Sequence, residues 1–280
     1  MSNIVRLGIS TCPNDTFTFH ALLNGLVDQR GLEFRVELLD IQELNDRLFR
    51  SEFDVAKCSF HAALLLSESM VVLPSGSALG FGVGPLLLSM TDGSLPQHAD
   101  QLTLCPGQHT TATLLFQLFY PQSTRIEQVI FSEIMPRLSQ GTADFGVCIH
   151  EGRFTWRDKG LGMVEDLGVR WERETNCPLP LGGLVGQKFL GEDRLRTVQQ
   201  VVRDSLNYAL ENPDDALASM RRYAQEFDDE VLMEHVRLYV NDWTVELGAT
   251  GAAALDTLNV KAREAGIIPE GSPGIKVLNA

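Results

Sequence analysis

Apolar residues near the start of the chain change repeatedly between strand-like and helix-like spacing. Residues 5–9 and 32–38 alternate apolar and polar side chains, which is typical of strands with one buried face. Residues 41–48 instead place apolar side chains three or four positions apart, directly behind Asp40, a residue suited to capping a helix. Strands that alternate with helices in this way predict an α/β fold in which helices cover a largely parallel sheet.

The rest of the chain continues this alternation, and its last third is predicted to be helical. Further strands are predicted at residues 53–59, 71–73, 102–105, 129–131, 145–149, 162–166 and 177–186. Further helices are predicted at 13–25, 60–66, from 110 onward, at 192–211, 214–224, 228–239 and 245–265, with a break at 212–213.

Two segments indicate where the chain crosses between domains. Residues 91–100 are polar, and the Pro- and Gly-rich residues 177–186 have the character of a returning strand. We therefore expect a large discontinuous α/β domain formed by residues 1–92 and 187–280, into which a smaller α/β domain, residues 93–186, is inserted. This is the layout of a hinged two-lobed binding protein with a ligand cleft between the lobes.

Composition narrows the classes of partner. The chain has 280 residues, of which 44% are hydrophobic, enough for two domains with sizeable cores. Its 37 acidic and 23 basic residues give a net charge of −14, which disfavours nucleic acid and anionic membranes as partners. No apolar run approaches the ~20 residues that a membrane span needs. None of these features determines the oligomeric state.

The cysteines and the N-terminus indicate the compartment. The five cysteines are odd in number and form no C-x-x-C pair, so we expect reduced thiols rather than a disulfide framework. The first residues lack the basic start, apolar middle and cleavage site of a secretory signal. Both observations predict a cytoplasmic protein.

Three stretches place a predicted strand directly before a predicted helix start or a polar turn. They are residues 10–25, 104–119 and 145–154. In the first, Pro13 ends the strand and Asn14 or Asp15 can cap the helix. Because the first turn of a helix has free backbone N–H groups, such junctions suit an anionic ligand. Together the three predict one pocket for an anionic small molecule.

His150 is the candidate catalytic residue. It follows the apolar strand predicted at 145–149 and precedes a polar segment, so its ring is expected at a strand end, where pockets form in α/β sheets. Histidine is also the natural base near neutral pH. The alternative is a surface or strand-capping histidine without chemistry.

Threonines and a lysine provide candidate binding groups. Thr110 and Thr111, beside His109, offer hydroxyls and backbone N–H groups for a carboxylate, or serve only as helix caps. Lys57 and Ser59 follow the third predicted strand, where the lysine can supply positive charge and the serine a hydrogen bond. The alternative for Lys57 is a solvated charge at the strand end.

The remaining motifs argue against a metal site and against a nucleotide-binding loop. Cysteines in these stretches, such as Cys58, match no zinc spacing and are expected to be small buried residues. The glycine-rich residues 80–84 precede a strand instead of a helix, so they do not meet the dinucleotide fingerprint. A hinge or a close approach of the backbone to a ligand explains these glycines better.

Five motifs, taken in order, resemble the 1,4-dihydroxy-6-naphthoate synthases of the futalosine route to menaquinone. The motifs are S-x-C-P-N-D-T-F at 10–17, K-C-S at 57–59, A-L-G-x-G-V-G-P at 78–85, P-G-x-H-T-T-A at 106–112 and I-H-E-x-R-F-T at 149–155. The resemblance implies a cytoplasmic enzyme with the fold of type II periplasmic binding proteins. It also implies conversion of cyclic dehypoxanthine futalosine into 1,4-dihydroxy-6-naphthoate with release of dihydroxyacetone.

The same resemblance implies roles for individual residues. His150 corresponds to the proposed base, and Lys57, Cys58 and Ser59 to substrate-binding residues, with Cys58 contributing its backbone. The pair at 110–111 also corresponds to substrate-binding residues. The implied substrate is an anionic aromatic small molecule, and the implied lyase reaction needs neither a metal nor an organic cofactor. Two alternatives remain: a chorismate dehydratase of the same pathway, or a solute-binding protein without catalysis.

Overall fold

The computed structural model describes residues 3–91, 93–149, 152–223 and 228–279. The chain divides into two units, each with its own sheet. Unit 1 consists of Met1–Gly80 and Pro180–Ala280, and unit 2 consists of Phe81–Leu179.

Strands and helices alternate through most of the described chain. The strands are β1 (Ile4–Ser10), β2 (Glu33–Leu39), β3 (Val55–Ser59), β4 (Met70–Val72), β5 (Ala78–Gly80), β6 (Leu86–Ser89), β7 (Leu102–Cys105), β8 (Arg125–Gln128), β9 (Phe145–Cys148), β10 (Gly162–Asp166) and β11 (Leu179–Gln187). The helices are α1 (Pro13–Thr18), α2 (His20–Leu23), α3 (Ile41–Phe49), α4 (Phe60–Leu65), α5 (Thr111–Phe119), α6 (Phe131–Ser139), α7 (Gly152–Thr155), α8 (Leu167–Thr175), α9 (Glu192–Glu211), α10 (Pro213–Tyr223), α11 (Asp229–Tyr239), α12 (Asp242–Val245) and α13 (Gly248–Glu264). Short 3-10 helices lie at Trp156–Lys159 and Lys188–Leu190.

The sheet of unit 1 has the strand order β2-β1-β3-β11-β4, and β5 pairs with β11. Val5, Leu7 and Ile9 of β1 are fully buried, which confirms the predicted apolar face of this strand, and Gly8 and Ser10 on its other face are buried as well. They share one apolar cluster with the buried face of α9, including Val198 and Val202. Because a fully buried side chain of this kind contributes about 1.5–3 kcal/mol, the packing of α9 against the sheet is a main stabilising contact of unit 1.

The sheet of unit 2 has the order β10-β6-β9-β7-β8. Leu86 and Leu88 of β6 cluster with Ile134 and Leu138 of α6. A Cβ on Gly146 of β9 would lie 2.4 Å from Ile134 Cγ2, so the glycine permits α6 to approach the sheet closely. No described helix in either unit combines the length and the apolar character needed to cross a bilayer.

Both sheets are mixed, and this corrects the expectation of largely parallel sheets. β1 runs parallel to β2 and β3, and β7 runs parallel to β8 and β9. However, β11 runs antiparallel to β3 and β4, and β6 runs antiparallel to β9 and β10. The antiparallel strands follow the two points at which the chain passes from one unit to the other.

The unit boundaries differ from the expected ones at 92–93 and 186–187. The chain passes between units after Gly80 and after Leu179. The reason lies in strand pairing: β6 pairs only with strands of unit 2, and β11 pairs with strands of unit 1. Hydrophobicity along the chain does not report which sheet a strand joins.

Three predicted elements are wrong. The single helix predicted at 13–25 is two helices, α1 and α2, with Phe19 between them. The strand predicted at 129–131 is instead β8 at Arg125–Gln128, all four residues of which are exposed. Its polar sequence has no apolar alternation from which a strand could be predicted. Helix α6, which begins at Phe131, was not predicted, and it contains Pro136. The single helix predicted at 245–265 is two helices, α12 and α13, separated between Val245 and Gly248.

Candidate substrate-binding site

Helix α1 begins without a side-chain cap. Its N-cap is Cys12, which makes no capping hydrogen bond, and Pro13 occupies the first helical position. Proline suits that position because its missing N–H would have no helical partner there. The prediction that Asn14 or Asp15 caps this helix is therefore wrong, and both side chains are used elsewhere.

Asp15 pairs with Lys57 inside unit 1. Lys57 Nζ lies 2.7 Å from Asp15 Oδ1, and the two side chains are 6% and 3% exposed. Lys57 Nζ also donates a hydrogen bond of 2.7 Å to the Gly76 carbonyl. The alternative in which Lys57 is a solvated charge is thus wrong, because the ammonium is buried and held by two partners.

Two neighbours hold Asp15 in place. Its second oxygen accepts a hydrogen bond of 2.6 Å from Ser10 Oγ. Asn14 Nδ2 donates to Asp15 Oδ1 over 3.0 Å, and Asn14 Oδ1 lies 3.1 Å from His235 Nε2. Asn14 therefore links Asp15 in α1 to His235 in α11.

Ser59 is positioned by Asn45, a residue that the sequence analysis did not single out. The Ser59 N–H donates to Asn45 Oδ1 over 3.0 Å, and Asn45 Nδ2 donates to Ser59 Oγ over 3.2 Å. Asn45 is fully buried. The signal that could have found it is a polar residue within the apolar stripe of α3, beside Leu44 and Leu48.

Cys58 lies between Lys57 and Ser59 in the sequence and is fully buried. Burial raises the pKa of its thiol to about 12, so the thiolate does not form near neutral pH. Burial likewise raises the pKa of the Cys105 and Cys148 thiols to about 12. The prediction that the cysteines of the candidate stretches are small buried residues is confirmed for Cys58, Cys105 and Cys148, whereas the fourth, Cys12, is half-buried.

Thr110 and Thr111 begin helix α5 in unit 2. Thr110 is the N-cap, and its Oγ1 accepts a hydrogen bond of 3.3 Å from the Thr113 N–H and donates one of 2.9 Å to the Gly107 carbonyl. Gly107 has a φ of +115°, a conformation that favours glycine and allows this tight turn. The capping role is confirmed, and both threonines are buried.

His150, the candidate base, and the neighbouring Glu151 lie outside the described residues. The described chain reaches this position from both sides: β9 ends at Cys148, and α7 begins at Gly152. The assignment of His150 as a base therefore stays a prediction.

Arg153 in α7 makes its contacts within unit 2. Its Nη2 lies 2.8 Å from Asp166 Oδ2, and its Nη1 donates to the Gly84 carbonyl. The other oxygen of Asp166 caps α8 by accepting from the N–H groups of Gly168 and Val169 over 2.9 and 3.1 Å. One carboxylate thus joins α7 to the start of α8.

The glycine-rich loop makes a close backbone approach, but to its own unit. A Cβ on Gly84 would lie 2.2 Å from Gly168 Cα, so both positions require glycine. The Gly82 N–H also donates to Glu172 Oε1 over 2.6 Å. These contacts hold the loop against α8. Within the part of the chain that the structure describes, no group of three or more His, Cys, Asp or Glu side chains is arranged to hold a metal ion.

Comparisons with known proteins identify the family of this chain. The sequence profile of a family described as "Menaquinone biosynthesis" matches residues 5–264. A 1,4-dihydroxy-6-naphthoate synthase of Thermus thermophilus is 40% identical over 94% of this chain and 95% of its own length. A second one, of Streptomyces coelicolor, is 35% identical over 97% of each chain.

Solved structures show the same fold. The crystal structure of a protein from Archaeoglobus fulgidus matches with a TM-score of 0.89 and 31% identity, covering 95% of this chain and 99% of that one. The periplasmic aliphatic sulphonate-binding protein of Escherichia coli matches with a TM-score of 0.66 at only 9% identity, covering 100% and 95%. The second likeness shows the fold alone. The chain has the fold of periplasmic binding proteins and belongs to the menaquinone-biosynthesis family.

Proposed function

We propose that this chain is a 1,4-dihydroxy-6-naphthoate synthase. The observation that carries the proposal is the identity of 40% to an enzyme of that name over nearly the full length of both chains. The reaction converts cyclic dehypoxanthine futalosine into 1,4-dihydroxy-6-naphthoate and dihydroxyacetone. It is a carbon–carbon lyase reaction, and we propose that it needs no metal or organic cofactor.

His150 is proposed as the base. A neutral imidazole removes a proton from a hydroxyl or carbon of the sugar-derived part of the substrate. Bond cleavage follows, and it is driven by formation of the aromatic naphthalene ring. The described cysteines support this choice of base indirectly, since burial raises the pKa of Cys58 to about 12 and leaves no ready thiolate at that position.

Residues from both units are proposed to bind the substrate. In unit 1 these are Lys57, Cys58 and Ser59, and in unit 2 they are Thr110 and Thr111. Cys58 contributes its backbone, because its thiol is buried. Hydroxyl groups and the first turn of α5 suit the carboxylate of an anionic aromatic substrate, since helix N-termini attract negative charge.

Turnover of the pathway intermediate tests the function. The purified full chain is incubated with cyclic dehypoxanthine futalosine, and product formation is followed by chromatography. We expect 1,4-dihydroxy-6-naphthoate and dihydroxyacetone in equal amounts, and unchanged turnover after dialysis against EDTA. Conversion of chorismate instead identifies a dehydratase, and tight binding without turnover identifies a solute-binding protein; either result contradicts the proposal.

The location in the cell is proposed to be the cytoplasm. None of the five cysteines, all of which lie in the described part of the chain, forms a disulfide bond, which suits a reducing compartment. Fractionation of cells that produce the full chain tests this, and we expect the protein with cytoplasmic markers. Recovery with periplasmic or membrane markers contradicts it.

A further inference from the structure

Asp15 is a buried carboxylate in unit 1 that caps no helix and takes no part in the proposed proton transfer. Oδ1 contacts Lys57 Nζ at 2.7 Å and accepts from Asn14 Nδ2, while Oδ2 accepts from Ser10 Oγ. A carboxylate is buried at a high cost unless it is paired and hydrogen-bonded. Its partners therefore indicate its role, and the charged partner is Lys57.

We propose that Asp15 is a positioning residue that orients Lys57 for substrate binding. The inference rests on the proposed function, because Lys57 belongs to the segment proposed to contact the substrate. Asp15 acts through Lys57 and has no contact of its own with the substrate.

The charge of Lys57 is compensated within unit 1. The ammonium and the Asp15 carboxylate are 2.7 Å apart and carry no net charge together. The positive charge that Lys57 was expected to supply for an anionic ligand is therefore balanced by Asp15. What it can supply is a directed hydrogen bond.

The direction of that hydrogen bond is set by the two internal contacts. An ammonium has three N–H donors, and Asp15 and the Gly76 carbonyl engage two of them. Gly76 is itself fixed, since its N–H donates to the Thr244 carbonyl over 2.8 Å. Because Asp15 and the Gly76 carbonyl fix two of the three N–H bonds, the direction of the third N–H bond of Lys57 is fixed as well. Loss of the Asp15 carboxylate leaves one anchor, about which the ammonium can turn.

A double-mutant cycle on the full chain tests the proposal. The variants are Asp15→Asn, Lys57→Met and the double variant, each assayed for kcat and KM with cyclic dehypoxanthine futalosine. We expect Asp15→Asn to raise KM about 10–100-fold, the range for loss of a hydrogen bond to a charged group. We expect kcat to change by less than about threefold, because a contact made equally in ground and transition states affects KM.

The double variant separates positioning from an independent role. If Asp15 acts only through Lys57, adding Asp15→Asn to Lys57→Met leaves KM within about twofold, because the two effects are coupled. If Asp15→Asn raises KM as much in the Lys57→Met background as in the wild-type chain, the proposal is contradicted. An unchanged KM in the single variant Asp15→Asn contradicts it as well. The double variant contains no unpaired buried charge, so urea unfolding of all three variants shows whether a change in KM accompanies a loss of the fold.

A matched control is the ion pair of Arg6 and Asp54, also in unit 1. Arg6 Nη2 lies 2.8 Å from Asp54 Oδ1, and the Asp54 side chain is 12% exposed. Neither residue is proposed to contact substrate. We expect Asp54→Asn to lower the unfolding temperature and to leave KM unchanged, whereas a similar rise in KM shows that the effect of Asp15→Asn is general destabilisation and contradicts the proposal.

A spectroscopic readout keeps this inference separate from the proposed function. In ¹⁵N-labelled protein without substrate, we expect a protected ammonium signal that Lys57→Met removes and so assigns. We expect Asp15→Asn to broaden or shift that signal. If the wild-type chain turns over no futalosine derivative, the proposed function fails while this result still supports orientation of Lys57 by Asp15. An unchanged signal in Asp15→Asn contradicts the orientation whatever the activity.

Discussion

The guanidinium of Arg153 lies 2.8 Å from the carboxylate of Asp166, and these two residues join α7 to α8 in unit 2. Both side chains are largely buried, and Arg153 also donates to the Gly84 carbonyl. Arg153 follows His150 by three positions. The pair therefore anchors the chain close in sequence to the proposed base.

Replacing Arg153 by alanine is expected to destabilise unit 2. It leaves the Asp166 carboxylate without its charged partner, and breaking a largely buried pair in this way costs about 3 kcal/mol. Urea unfolding of wild-type protein and Arg153→Ala measures the difference. Arg137→Ala, which removes a more exposed pair with Glu127 in the same unit, serves as control with a much smaller expected loss, because exposed ion pairs contribute little to stability. Equal losses in the two variants would contradict the bracing role of Arg153.

Replacing His150 by alanine is expected to abolish most turnover and to leave the fold intact. Loss of a general base lowers the rate about 10²–10⁴-fold. Steady-state turnover of cyclic dehypoxanthine futalosine, together with circular dichroism of the variant, measures both properties. Near-normal turnover in a folded His150→Ala variant shows that another group is the base.

Replacing Gly84 by alanine is expected to destabilise the protein by about 1–3 kcal/mol, the usual cost of overpacking. The added Cβ would lie 2.2 Å from Gly168 Cα, which is backbone and cannot rotate away. Gly271→Ala is the matched control, because a Cβ there meets nothing within 4 Å. Denaturant unfolding of both variants tests this, and equal stability of the two shows that the loop and α8 separate at little cost.

His20 makes the stability of unit 1 depend on pH. Burial lowers the pKa of this histidine, and the charge of Asp215 opposes that effect only in part. The neutral ring lies 2.8 Å from Ser219 Oγ, which joins α2 to α10. In the unfolded chain the same side chain takes up a proton near its ordinary pKa of about 6.5.

The sign of the effect follows from these two states. Above pH ~6.5 both states are neutral at His20, and its full contribution to stability is present. As the pH falls below that value, the unfolded chain binds a proton first, so stability decreases until the folded pKa is reached. Urea unfolding between pH 8 and 5 should therefore show a steeper loss for wild-type protein than for His20→Gln. The exposed His98, replaced in His98→Gln, is the control expected to match wild type; a loss equally steep in His20→Gln contradicts the prediction.

Periodicity predicted the elements whose burial follows a regular pattern. Strand β1 has fully buried Val5, Leu7 and Ile9, and Asp40 caps α3 by accepting a hydrogen bond from the Gln42 N–H, both as expected. Strands β7 and β10 have their predicted bounds. These features are local, because spacing along the chain reports which face of an element is apolar and which side chain can reach the next turn. The same is true of the motifs at Thr110 and Lys57, which mark strand and helix ends.

The sequence by itself therefore determined the secondary structure of most apolar segments, the α/β class and the candidate catalytic and binding residues. Only the tertiary structure decided what the polar side chains do. Asn14 or Asp15 was expected to cap α1, and Asp15 instead pairs with Lys57. Arg153 forms an ion pair with Asp166, and Gly84 packs against the backbone of Gly168. The exposed strand β8 likewise escaped prediction, and so did the antiparallel direction of β6 and β11. The physical reason is that the partner of a charge, of an edge strand or of a glycine lies far away in sequence, where no periodic pattern records it.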